Sequence, residues 1–102
     1  MSGDTYPKFK VAAVQAEPVP LDREATVAKA CSLIEEAGRN GARIIAFPEG
    51  FVPGYPDWLS FYPPGEAMKL FYREFFKNSV EVPSPATDLL CLAARKVEAY
   101  VA

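Results

Sequence analysis

At 102 residues the chain offers material for one small domain at most. Half of the residues are hydrophobic, 24% are charged and the net charge is −2, so the balance is that of an ordinary globular chain, and no basic run suggests a nucleic-acid surface. No apolar stretch approaches the ~20 residues needed to cross a bilayer, and the start of the chain lacks the basic-then-apolar pattern of a secretory signal, so the expected location is the cytosol. There is no histidine, which excludes Ser-His and Cys-His dyads and histidine metal sites from within these residues. The two cysteines form no CxxC pair.

Residues 1–8 read as a flexible polar leader. Phe9 to Gln15 reads as a strand, and its run from Val11 to Val14 is apolar without alternation, as expected for a strand covered on both faces. Glu17-Pro-Val-Pro20 ends it, because proline lacks the N–H that a ladder needs. Asp22 is a candidate helix N-cap, with Glu24 in the first turn near the positive end of the dipole. Val27, Ala30, Cys31, Ile34 and Ala37 then recur at helical spacing as one apolar face. Gly38, Asn40 and Gly41 supply the expected stop.

Arg43 to Phe47 reads as a second, buried strand. Strand, helix and strand in this span make one βαβ unit, so the two strands are expected to be parallel. Five of the ten prolines lie between Pro48 and Pro64, and ten of the thirteen aromatics lie between Phe47 and Phe76. Such a loop is stiff, and its rings suit the wall of a pocket. Glu66 to Val80 reads as a helix with Met68, Phe71, Phe75 and Phe76 on its apolar face. A further helix opens with Ser84 as N-cap and Pro85 at the first position. Its expected buried side is Leu89, Leu92, Ala93 and Val97, widened by Leu90, Cys91 and Ala94. Tyr100-Val101-Ala102 reads as the start of a third strand. The fold class is therefore α/β: a βαβ unit plus two further helices.

One acid stands out. Glu49 follows the apolar run from Ile44 to Phe47 and precedes a loop with Pro53, Gly54, Tyr55, Pro56 and Trp58. The end of a buried strand is where an α/β fold places a working group, so Glu49 is expected to be largely buried beside Tyr55. An acid after a strand also serves as a helix cap or a solvated loop residue. Tyr55 suits a turn as well as a pocket wall. Trp58 offers apolar area for substrate, core or subunit contact. Cys31 and Cys91 lie on predicted apolar helix faces, where a thiol acts as a small core group. Lys69, Lys77 and Lys96 fall on or at the ends of predicted helices, away from Glu49. The cluster of Phe71, Tyr72, Phe75 and Phe76 fits packing better than substrate binding.

The stretch from Gly41 to Pro56 resembles the active-site signature of the nitrilase superfamily, the carbon–nitrogen hydrolases. The resemblance rests on Gly41, the Ile44-Ile45 pair, Phe47-Pro48-Glu49, Val52 and Gly54-Tyr55-Pro56, and Val-Pro-Gly-Tyr-Pro-Asp-Trp looks most like the nitrilase branch. It extends from Lys10 to Ala102 and implies the N-terminal portion of an α-β-β-α sandwich, truncated at the start of the third strand. It implies hydrolysis of a nitrile to a carboxylic acid and ammonia, with Glu49 as general base of a Glu-Lys-Cys triad and neither metal nor organic cofactor. The implied partners are a small-molecule nitrile and further copies of the chain in a homo-oligomer; nucleic acid and membrane are not among them. The triad's lysine and cysteine have no counterpart among these 102 residues, so the chain by itself is expected to be inactive. A non-catalytic remnant and an amidase-type relative acting on C(=O)–N bonds are the alternatives.

Overall fold

The computed structural model describes residues 3–102. Residues 3–9 form neither helix nor strand and are exposed, and the first two residues of the expected leader lie outside the described part. Strand β1 spans Lys10–Ala13, helix α1 Arg23–Arg39, strand β2 Ala42–Ala46, helix α2 Glu66–Lys77, helix α3 Pro85–Lys96 and strand β3 Tyr100–Val101. A short 3₁₀ turn, Asp57–Ser60, lies between β2 and α2.

The three strands form one sheet in the order β1-β2-β3, and the helical crossovers between them make it parallel. Val11 pairs with Ile44 and Ile44 with Tyr100; Ala12 pairs with Ile45 and Ile45 with Val101. Side chains alternate between faces along a strand, so these two rows face opposite ways. The row through Ile45 lies under the helices. Ile34 of α1, Ala42 and Ile45 of β2 and Ala93 of α3 form the buried core, with Val14, Phe47, Leu90, Val97 and Val101 packed against it. The row through Ile44 is open: Val11 is 64% and Tyr100 82% exposed. β1 was expected to be covered on both faces. Among the described residues only its helix side is covered, because α1 and α3 pack on one side and no second layer lies on the other.

Local chemistry explains where the helices begin. The Asp22 carboxylate accepts the Ala25 N–H at 3.0 Å and caps α1. The buried Thr26 hydroxyl donates to the Val19 carbonyl and accepts the Val19 N–H, which fixes the entry to α1 and leaves no unpaired buried polar group there. Ser84 and Thr87 form a reciprocal capping pair at the start of α3.

Three expected features change. Gly38 lies inside α1 and not at its stop; Asn40 is the C-cap and Gly41, at φ +91°, carries the turn. α2 ends at Lys77, and Phe76 is 83% exposed because it sits about 100° round the helix from Phe75. α3 docks through Ala86, Leu90, Ala93 and Val97, while Leu89, Cys91 and Leu92 face outward. Ala86 and Ala93, two turns apart on one face, let α3 approach α1 closely, while the exposed Leu89 and Leu92 lie outside that seam.

Candidate functional site

Two segments leave the carboxyl ends of neighbouring parallel strands, and a cleft of about 470 Å³ lies between them. Glu17, Pro18 and Pro20 follow β1; Pro48, Glu49, Gly50 and Phe51 follow β2; Tyr55, Asp57 and Trp58 close the far side. This is the position where open parallel sheets gather ligands.

The loop that carries Glu49 is anchored at both ends. Phe51 is buried, and its ring lies 5.1 Å from that of Phe47 in a tilted pair. The Pro53 carbonyl accepts the Leu21 N–H at 2.9 Å, which ties the loop to the segment entering α1. Gly50 has φ +66°, and a Cβ there would meet the Tyr55 ring at 3.4 Å. Glycine thus allows the left-handed turn after Glu49, while the approach of Tyr55 would leave ordinary contact for a Cβ.

Glu49, Tyr55 and Trp58 are brought together on this one cleft. The expected burial of Glu49 is not observed: it lies in a turn three residues past β2 and is exposed. Tyr55 is 59% exposed. The physical reason is the same as for the open sheet face. The cleft has one wall of prolines and one of aromatic rings, and no layer closes over it among the described residues.

Trp58 is held from behind. It stacks on Phe71 at 5.4 Å and meets Tyr72 and Phe75 edge-on at 5.0 and 5.9 Å, and Phe71 also packs on Tyr62. Of the four clustered rings of α2, Phe71, Tyr72 and Phe75 therefore pack behind Trp58, and Phe76 does not.

The remaining candidates lie elsewhere. The Cys31 thiol donates to the Leu89 carbonyl at 3.5 Å, between α1 and α3. Burial, and secondarily the Glu35 carboxylate, push its pKa up, which is the opposite of the lowering that activates a nucleophilic thiol. Cys91 is exposed, which corrects its reading as a core group. Lys69 pairs with Glu66 and Lys96 with Glu35 on exposed surface. Among the described residues no group of histidine, cysteine or acidic side chains is arranged to hold a metal ion, and no helix is long and apolar enough to cross a membrane.

Sequence reasoning passed over Glu17 and Asp57. Together with Glu49 they give the cleft three carboxylates and no basic side chain. Glu17 stands before the proline that ends β1 and Asp57 before Trp58, but only the tertiary arrangement sets them on one cleft.

The carbon–nitrogen hydrolase family model matches residues 10–102. A nitrilase of Bacillus sp. (strain OxB-1) is 53% identical over 88 residues, an aliphatic nitrilase of Rhodococcus rhodochrous 46% over 89, and an arylacetonitrilase of Aspergillus oryzae 42% over 89. These matches take in 86–87% of this chain but only 23–26% of each relative, so the chain spans about a quarter of their length. A parallel βαβ unit, a carboxylate in the loop after its second strand and a family match over nine-tenths of the residues lead to one conclusion: the chain belongs to the carbon–nitrogen hydrolases.

Proposed function

We propose that this chain supplies the general base and one pocket wall of a nitrilase, an enzyme that converts a nitrile to a carboxylic acid and ammonia. The observation that carries the reading is the single cleft shared by Glu49, Tyr55 and Trp58 at the carboxyl ends of β1 and β2. Similarity to both aliphatic nitrilases and arylacetonitrilases supports the reaction and leaves the substrate class open.

The chemistry accounts for the residue types. A nitrile carbon is a poor electrophile for water, so a thiolate attacks first. Glu49 accepts the thiol proton as the C–S bond forms, and the nitrile nitrogen takes up a proton from the resulting carboxylic acid. Water adds to the thioimidate, ammonia departs and leaves a thioester, and a second water releases the acid and regenerates the thiol. A lysine stabilises charge on the tetrahedral intermediates. The thiol and the lysine belong, in this proposal, to residues other than these 102. Glu49 is exposed here, and in this proposal the parts that close the cleft would cover it.

The test is ammonia release from a panel of aliphatic nitriles, arylacetonitriles and matched amides. It requires a longer chain that carries these residues together with a cysteine and a lysine. Turnover of nitriles with little action on amides is the expected result. Turnover of amides alone would replace the reading with an amidase.

A further inference from the structure

The wall residue Trp58 depends on α2, and α2 depends on a distant arginine. Arg23 is the first residue of α1, and its guanidinium Nη1 donates at 3.1 Å to the carbonyls of both Lys77 and Ser79, at the carboxyl end of α2. Its backbone N–H donates to the Asn78 side-chain oxygen at 3.3 Å. Among the described residues, every hydrogen bond that joins α2 or the turn after it to a distant part of the chain comes from Arg23. The rest of the attachment is aromatic packing against Trp58 and its neighbours.

The chemistry suits the position. The end of a helix presents unpaired carbonyls and the negative end of its dipole, and a planar cation with several donors satisfies both. The Glu24 carboxylate accepts from Nε and Nη2 at 2.9 and 2.8 Å, leaving Nη1 turned to the carbonyls. α1 in turn is rooted in the core through Val27, Ala30 and Ile34.

We propose that Arg23 is a positioning residue for the cleft: by clamping the end of α2 to α1 it holds Phe71 and Phe75 behind Trp58, and so sets the wall that faces Glu49. The path runs from α1 through the Arg23 guanidinium to the Lys77 and Ser79 carbonyls, along α2 to its rings, and from those rings to Trp58. The structural coupling stands by itself; its consequence for turnover rests on the nitrilase reading.

Trp58 is the only tryptophan of the chain, so its emission reports this wall directly. In the 102-residue chain, Arg23→Ala is expected to shift Trp58 emission to the red and to raise its quenching by acrylamide severalfold, with far-UV circular dichroism retained. Arg43→Ala, at an exposed site whose one ion pair among the described residues is a long 3.9 Å contact to Glu98, serves as the control and leaves emission unchanged. Parent-like emission in a folded Arg23→Ala chain overturns the proposal. Should that variant not fold, Arg23→Met decides, since it keeps an aliphatic stem and loses every donor to the Lys77 and Ser79 carbonyls; parent-like emission there overturns the proposal equally. In a longer form that turns over nitriles, Arg23→Ala is expected to raise KM severalfold with kcat within about twofold, the pattern of a binding wall lost equally to ground and transition states. A fall in kcat at constant KM would count against the wall role. Absence of turnover in the unsubstituted longer form sinks the nitrilase reading and leaves the Trp58 result to stand or fall separately.

Discussion

Gly38 of α1 faces Val97 at the end of α3 so closely that a Cβ on Gly38 would lie 2.4 Å from the Val97 Cβ. A glycine inside a helix costs about 0.5–1 kcal/mol relative to alanine, so its presence there needs a reason. The reason is the helix seam. Gly38→Ala is expected to destabilise the chain by about 1–3 kcal/mol, the usual cost of overpacking, despite the better helix propensity of alanine. Thermal unfolding measures it. Adding Val97→Ala is expected to recover part of the loss, and a Gly38→Ala chain more stable than the parent would refute the seam.

Glu49→Gln separates a chemical role from a structural one. The amide keeps the shape of the side chain and cannot accept the proton. Because Glu49 is exposed, the substitution is expected to change stability by no more than about 0.5 kcal/mol. In a longer form with nitrile turnover, kcat is expected to fall by about 10²–10⁴-fold. Activity within a few-fold of the parent would show that Glu49 is not the base.

The two thiols are expected to differ in reactivity. Cys91 is exposed, whereas Cys31 is partly covered, and burial and then the Glu35 carboxylate hold its pKa up. A disulfide reagent at pH 8 should modify Cys91 first and Cys31 in a slower phase, by about tenfold or more, that alone survives in Cys91→Ser. The sign of the linkage follows. A thiol whose pKa is raised on folding adds stability that is present below its unfolded pKa and is lost as pH rises through the folded value. Unfolding profiles across pH 7–10 should therefore show Cys31→Ser losing less stability than the parent at the alkaline end. Equal rates for both thiols would contradict the packing between α1 and α3.

The open row Val11, Ile44 and Tyr100 is expected to make the 102-residue chain associate. A contiguous apolar sheet face bordered by unpaired strand edges recruits other chains. Sedimentation velocity should show species larger than a monomer, and the pair Val11→Lys with Tyr100→Lys should shift the distribution towards monomer. A monodisperse parent monomer with a sharp thermal transition would show that these residues are self-sufficient.

The order of elements was legible from local signals. Asp22 and Ser84 are caps, Pro85 suits a first turn, and unbroken apolar runs mark parallel strands; each acts over a few residues, so the chain itself carries the information. Glu49 and Tyr55 of the stretch from Gly41 to Pro56 line one cleft because both lie in the short loop after β2. What faces what was decided elsewhere. Leu89 and Leu92 look like a buried face by composition, yet the small residues Ala86 and Ala93 hold the seam, because close helix approach depends on the partner surface. Gly38 reads as a stop and is a contact. Glu49 reads as buried and is exposed, since burial depends on what closes over a group and not on the residues beside it in sequence. Arg23 carries no local signal at all for its grip on the Lys77 and Ser79 carbonyls, more than fifty positions away. That bond exists only because folding brings the start of α1 to the end of α2.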